Sequence, residues 1–175
     1  WAAFEQRTET IRVKGQPDAT VTLRRTRHGP VLSDAQKSHA DVLDLSRHVL
    51  ALRWSALDAD NQTVLAGLQT NQARTVDELF QAFAYYHSPM QSVVAADVQG
   101  HIRMKAVGRV PLRRADNDIR GVAPSPGWDA RYDWQGWLAY ADTPEDDGAK
   151  GWIATANQRI TAPGYPHYLT QDWAL

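Results

Sequence analysis

The alternation of polar and apolar side chains predicts antiparallel strands in the first third of the chain. Residues 4–14 and 19–27 follow the two-residue period of a strand, and the intervening GQPD is a turn signal. Residues 49–57 place their apolar side chains on one face and predict a further strand. We therefore expect residues 1–60 to be rich in β-structure.

The hydrophobic period changes to that of a helix after residue 62. From there apolar side chains recur three and four positions apart, most clearly in TVDELFQAFAYYH. Thr75 stands three residues before Glu78, which is the spacing of a capping box, and Pro89 limits the helix at its other end. We expect a helical segment over residues 63–87.

The last part of the chain mixes strand and loop patterns. Residues 91–107 contain two strand-like runs joined by Gln-Gly, which predicts a β-hairpin. Residues 108–150 are rich in glycine, proline and charge and predict a long loop region anchored by tryptophans. Residues 151–175 open with the apolar run GWIATA, which predicts a strand that ends at Asn157.

Composition narrows the class of protein. The chain has 175 residues, of which 43% are hydrophobic and 22% charged, as expected of a globular domain with a sizeable core. A formal net charge of -1 gives no electrostatic reason to bind nucleic acid or an anionic membrane. No cysteine is present, which excludes disulfides, thiolate metal sites and a cysteine nucleophile within this chain. The patterns together predict a soluble, β-rich α+β domain.

No complete catalytic set or metal motif is visible. The six histidines form no His-x-x-x-His pair, and no serine lies in a Gly-x-Ser-x-Gly elbow. The acidic run DTPEDDG lacks the ligand spacing of an EF-hand, so we predict no complete metal site in this chain. At this point Asn157 has two readings, either a turn residue or a hydrogen-bond donor carried to the tip of a strand.

An aromatic cluster allows an alternative function. Trp128, Tyr132, Trp134 and Trp137 could form an exposed platform for a sugar or a peptide in a non-catalytic binding module. Burial discriminates between the two functions: a flat exposed row of rings favours the module, and rings packed into the fold favour an enzyme.

Several segments, in their order along the chain, resemble the penicillin acylase (penicillin amidase) family of N-terminal nucleophile hydrolases. Each segment alone is weak, but the ordered set covers nearly the whole chain. The segments are RRTRHGPVLS, LALRWSALD, SPMQSVVAADVQGHI, AVGRVPLR, GWDARYDWQGW, GWIATANQR and YPHYLTQDW.

The resemblance implies an α+β fold of the αββα type, with two stacked antiparallel sheets between helical layers. It implies a precursor that cuts itself into two subunits, so that the new N-terminal serine of the larger one attacks an amide carbonyl and forms an acyl-enzyme. The implied substrates are penicillins, acyl-homoserine lactones and related N-acyl compounds. The implied location is the bacterial periplasm or the exterior, and calcium is common in intact members.

Set against the family, the chain looks like an internal piece of the large (β) subunit, with residues 1–175 as a single piece. It begins at Trp1, so we expect it to lack the serine nucleophile, the small subunit and the rest of the large subunit. We expect this fragment to be inactive alone and to carry no cofactor. A truncated core exposes sheet faces and edges, so we also expect association with another copy.

Three site residues follow from the resemblance. Asn157 in TANQR matches the asparagine whose side-chain NH2 donates to the oxyanion of the tetrahedral intermediate. Gln158 stands where many relatives have a second asparagine. Gln91 and Gly67 match positions near the acyl pocket, where the missing side chain of Gly67 would leave room for a longer or bulkier acyl group.

Overall fold

A computed structural model describes residues 3–36 and 38–173. The chain divides into two compact units, Trp1–Leu57 and Asp58–Leu175, where the sequence analysis treats it as one piece. No helix in the described ranges is long and apolar enough to cross a bilayer.

The first unit contains an antiparallel hairpin. Strand β1 (Glu5–Ile11) pairs with β2 (Ala19–Thr26), and the short β3 (Gly29–Pro30) extends the sheet beside β2. Nearly all side chains of β1 and β2 are exposed. Because both faces of this hairpin meet solvent, its apolar side chains contribute little buried area within this unit.

Residues 49–57 do not form the strand that their pattern predicts. Among the described residues of this segment only Ala51 makes a β-bridge, to Val31, and Ser55–Leu57 form a short 3-10 helix. A strand needs a neighbour of matching length, and β3 offers only two residues. The prediction of a strand is therefore wrong at this position.

The second unit begins with two helices, which confirm the expected helical segment. Helix α1 spans Thr63–Thr70 and helix α2 spans Val76–Phe83. The Thr75 hydroxyl accepts a hydrogen bond from the Glu78 backbone N–H at 3.2 Å, as the capping spacing requires. The Glu78 carboxylate in turn accepts from the Arg74 N–H at 2.7 Å, so the start of α2 is satisfied from both sides.

A small antiparallel sheet lies against α2. Strand β4 (Gln91–Ala96) pairs with β5 (Ile102–Val107) over six residue pairs, with Val93 opposite Lys105. Val76 and Phe80 of α2 and Val107 of β5 form the buried core of this unit. Partly buried hydrophobic residues packed against that core are Phe83, Tyr86, Val93, Ala95 and Tyr140.

The region 108–150 holds more regular structure than the loop that its composition predicts. Strands β6 (Pro111–Arg113) and β7 (Trp134–Trp137) form a separate antiparallel pair. Strand β8 (Glu145–Asp146) pairs with the far side of β5. Such short strands give a sequence window little periodicity to display, which is why composition dominates the prediction.

The apolar run 151–156 is not a strand within the part of the chain that the structure describes, so that prediction is also wrong. Its side chains still alternate, since Ile153 and Thr155 are half-buried while Ala154 is exposed. Among the described residues this segment pairs with no strand, and an alternating run without a hydrogen-bonded partner strand stays irregular.

One carboxylate links the β4–β5 turn to the start of α2. Asp97 accepts hydrogen bonds from the backbone N–H of Gln99 and His101, each at 3.0 Å, and from Val76 at 3.3 Å. Its side chain is only 4% exposed and also contacts the His101 ring, at 3.1 Å. The acceptor capacity of Asp97 is therefore used on two separate elements.

Candidate functional site

Asn157 lies at the apex of an exposed bend. Its backbone has φ of +64°, in the left-handed region that asparagine adopts more readily than most residues. The Gln158 side chain closes the bend, because its amide N–H donates to the Ala154 carbonyl at 3.3 Å and its amide oxygen accepts from the Ala156 N–H at 2.5 Å. The Gln158 side chain thus ties the backbone that precedes Asn157 to the residue that follows it.

The side chain of Asn157 is exposed and makes no hydrogen bond to another described residue. An amide carries two N–H donors and does not titrate, so it is neutral across the whole pH range in which proteins fold. Locally the arrangement presents a neutral donor on a braced backbone. It also satisfies the alternative reading as a turn residue, since a bend is where it lies.

Gln91 and Gly67 lie on other elements of the same unit. Gln91 is the exposed first residue of β4, opposite Val107. Gly67 lies on the exposed side of α1, and a Cβ built there would meet nothing within 4 Å. Within the described ranges, no hydrogen bond or strand pairing joins Asn157 to Gln91 or to Gly67, so their membership of one site stays a prediction.

The four aromatic residues do not form a flat exposed platform. Trp134 and Trp137 are half-buried and pack edge to face, with ring centroids 5.2 Å apart. Tyr132 is half-buried, and its hydroxyl accepts a hydrogen bond from the Arg131 guanidinium at 2.6 Å. Trp128 is 77% exposed, and by itself it offers one ring rather than a row. The burial criterion therefore favours an enzyme over the binding module.

A charged cluster lies around His87, and no sequence motif predicts it. Arg109 forms a two-pronged ion pair with Asp60, at 2.8 and 3.1 Å, and a looser one with Asp58 at 3.6 Å. His87 is 5% exposed, and its burial and the nearby Arg109 charge lower the pKa of its imidazole. We interpret this cluster as part of the framework of the unit, because the histidine is neutral and the charges beside it are paired. The sequence does not predict it, since His87 belongs to no recognisable motif.

The acidic run over 142–148 is used for local structure. Asp146 and Asp147 each accept a hydrogen bond from a backbone N–H two residues ahead, at 2.9 and 3.0 Å. Glu145 pairs with the buried Lys105 ammonium at 3.0 Å. Among the described residues no group of three His, Asp or Glu side chains is arranged to hold a metal ion.

Comparison with known proteins gives concordant matches. The sequence model described as penicillin amidase matches residues 1–175. The acyl-homoserine lactone acylase QuiP of Pseudomonas aeruginosa is 35% identical, over 99% of this chain and 20% of that protein. The penicillin acylase 2 proenzyme of Pseudomonas sp. is 32% identical, over 95% of this chain and 20% of that protein.

A solved structure agrees. A thermostable penicillin G acylase from Alcaligenes faecalis superposes with a TM-score of 0.77 at 28% identity, over 100% of this chain and 29% of that one. The chain thus spans about a fifth of the length of the curated relatives that it matches. The match over the entire chain confirms the predicted fold class.

Proposed function

Since the chain belongs to the penicillin amidase family, we propose that it forms part of an amidohydrolase that cleaves an acyl amide through an acyl-enzyme. We propose that the nucleophile of this reaction is the N-terminal serine of the large subunit, and that it belongs to another part of the protein, since this chain spans only 20% of the length of these relatives. The relatives are an acyl-homoserine lactone acylase and a penicillin acylase, which supports acyl-homoserine lactones and penicillins as substrates, and we include related N-acyl compounds in the proposal.

The contribution of this chain to the chemistry is the side chain of Asn157. Negative charge develops on the carbonyl oxygen only as the nucleophile adds, and a donor already fixed in place stabilises that charge without reorganising. The observation that carries this role is the left-handed apex at Asn157, which the Gln158 side chain braces through two hydrogen bonds. A brace of this kind fixes the backbone from which the amide projects and so narrows the range of positions that the donor can take relative to a reacting carbonyl.

Gln91 and Gly67 are proposed to border the acyl pocket. Gly67 supports this role because the space beyond its Cα is open and the neighbouring exposed side chains of α1, Val64 and Leu68, are apolar. An acyl chain would add apolar contact there. Replacing Gly67 with Leu should lower kcat/KM for long acyl groups more than for short ones, and equal loss for both would remove Gly67 from the pocket.

The role of Asn157 is tested in the full-length enzyme with Asn157→Gly and Asn157→Asp. Glycine keeps the left-handed backbone and removes only the donor, so the loss reports the hydrogen bond rather than strain. We expect kcat to fall by about 10²–10³-fold, or about 3–4 kcal/mol of transition-state stabilisation, with KM little changed and self-cleavage intact. Aspartate keeps the shape but places a negative charge at the oxyanion, so it should be at least as inactive.

The outcome that would end this assignment is a turnover of Asn157→Gly close to wild type. Gln158→Ala serves as the matched variant, since it leaves the amide of Asn157 but removes the brace, and it should lose less activity than Asn157→Gly. As further parts of the proposal, the chain alone is inactive, the intact protein binds calcium, and it acts in the bacterial periplasm or outside the cell.

A further inference from the structure

Two arginines converge on one tyrosine ring in the second unit. Arg113 ends strand β6, Arg120 lies in the turn that follows, and Tyr168 comes from the C-terminal part of the chain. The guanidinium carbon of Arg113 is 5.8 Å from the centre of the Tyr168 ring, and that of Arg120 is 5.2 Å from the same centre. Two like charges therefore share one neutral partner.

Neither guanidinium has a carboxylate partner among the described residues. Arg113 is half-buried, and one of its N–H groups donates to the Pro111 carbonyl at 3.4 Å. Burial lowers the pKa of Arg113, and the Tyr168 phenol opposes this effect only in part. By contrast, other arginines of the chain form ion pairs with aspartate or glutamate: Arg7, Arg24, Arg103, Arg109, Arg114 and Arg131.

The surrounding turn shapes the backbone at Arg120 and the space around the Arg113 guanidinium. The buried Asn117 side chain accepts a hydrogen bond from the Arg120 backbone N–H at 2.7 Å, and Arg120 has φ of +53°, a conformation that is costly for a long side chain. Gly121 lies directly against Arg113, because a Cβ there would come within 2.9 Å of its Nη2 atom. The turn is thus shaped to leave room for the Arg113 guanidinium.

Energetics favour an anion at this position. A cation over an aromatic face gains a modest stabilisation, whereas a partly desolvated charge without a counter-charge is destabilised by a comparable or larger amount. The planar guanidinium fork matches a carboxylate in shape and charge, and two forks can bind one carboxylate from different sides. The Tyr168 hydroxyl is also buried without a hydrogen-bond partner in the described structure, so this cluster leaves a further polar group unsatisfied.

We propose that Arg113, Arg120 and Tyr168 form a carboxylate-binding site, in addition to the oxyanion site proposed at Asn157. The carboxylate belongs either to a small molecule or to an aspartate or glutamate elsewhere in a longer protein. The second source is included because the chain spans only 20% of the length of a relative. Both sources present the same group to the same two guanidinium forks.

The first test titrates the 175-residue chain with acetate, at constant ionic strength maintained with sodium chloride, and follows the Arg Nε–H resonances and the melting temperature. Acetamide is the neutral control ligand. Acetate should shift the Arg113 and Arg120 resonances and raise the melting temperature, whereas acetamide should do neither. Arg120 is exposed, so Arg120→Gln leaves the buried core intact and should weaken acetate binding by about tenfold or more.

Arg159→Gln is the matched control, because it removes one exposed positive charge whose side chain instead donates to Thr161. It should bind acetate as the wild type does. The proposal is overturned if acetate acts no differently from chloride, or if Arg120→Gln and Arg159→Gln weaken binding equally. Tyr168→Phe, which keeps the ring and removes only the hydroxyl, should weaken acetate binding less than Arg120→Gln does.

A second measurement on the full-length protein identifies the source of the carboxylate. If acetate binds there too, the site takes a free ligand. If acetate no longer binds but Arg120→Gln lowers the melting temperature more than Arg159→Gln, a side chain of the protein occupies it. Absence of both effects would overturn the proposal in the intact protein.

Discussion

The Tyr140 hydroxyl completes the C-terminal end of helix α2. It donates to the Phe80 carbonyl at 2.8 Å, and Phe80 is one of the last four residues of a helix that ends at Phe83. Carbonyls in the last turn have no partner within their own helix. Replacing Tyr140 with Phe keeps the ring in the core but leaves this acceptor without its side-chain donor.

The magnitude follows from burial and hydrogen bonding. Leaving a partly buried carbonyl unsatisfied costs about 1–3 kcal/mol, so we expect Tyr140→Phe to lower the free energy of unfolding by about 1–2 kcal/mol at pH 7. Burial, and secondarily the Glu145 charge, raises the pKa of Tyr140 from 10.0 to about 12. The neutral phenol is therefore favoured in the folded state.

The sign of the pH dependence follows from this raised pKa. The stabilisation from Tyr140 is fully present below pH 10, where the unfolded phenol is still neutral, and is lost as the pH rises from 10 towards 12. Without solvent screening, the raised pKa would lower the free energy of unfolding by about 1.4 kcal/mol at pH 11, and partial screening reduces this loss to about 1 kcal/mol. The stability difference between wild type and Tyr140→Phe should shrink by that amount between pH 8 and pH 11.

Urea unfolding followed by far-UV circular dichroism at pH 8, 10 and 11 measures both effects. Tyr85→Phe is the control, since Tyr85 is 45% exposed and its substitution should leave the midpoint unchanged at pH 8. The reasoning is refuted if Tyr140→Phe is as stable as wild type at pH 8. It also fails if the gap between the two proteins stays constant or widens as the pH rises.

Two further predictions concern Gly108 and Thr75, and both are measured by urea unfolding. Gly108 has φ of +113°, and a Cβ there would lie 2.8 Å from the Met90 Cα, so Gly108→Ala should cost about 3 kcal/mol or more. Gly100→Ala, at φ of +85° in open space, should cost only about 1–2 kcal/mol, and equal costs would contradict the clash. Thr75→Ala should cost about 1 kcal/mol by removing the cap of α2, whereas Thr75→Ser should be nearly neutral; a stable Thr75→Ala would show that the cap contributes nothing.

Local signals predict local structure well in this chain. The spacing of Thr75 and Glu78 predicts the start of α2, because the donor and acceptor lie within one turn of each other. Strands are different, since each needs a partner that the segment itself does not specify. Residues 49–57 and 151–156 both have strand-like patterns, and neither gains a ladder partner of sufficient length among the described residues.

The candidate site shows the same limit. The sequence motif identifies Asn157, but the left-handed backbone and the brace from Gln158 depend on dihedral angles that no pattern displays. Arg113 contacts the Tyr168 ring although the two residues are more than fifty positions apart, and the sequence around either residue does not predict this contact. Interactions at that separation are decided by the packing of the whole unit.

The hydrogen bonds of Asp97 have a consequence for how this unit opens. Because the amides of Val76, Gln99 and His101 all donate to the Asp97 carboxylate, they should exchange with deuterium as a single group rather than as a turn and a helix end separately. Fraying of α2 at its first residue would expose the same carboxylate that closes the hairpin. A helix start and a strand turn, distant in sequence, thereby become one cooperative opening unit.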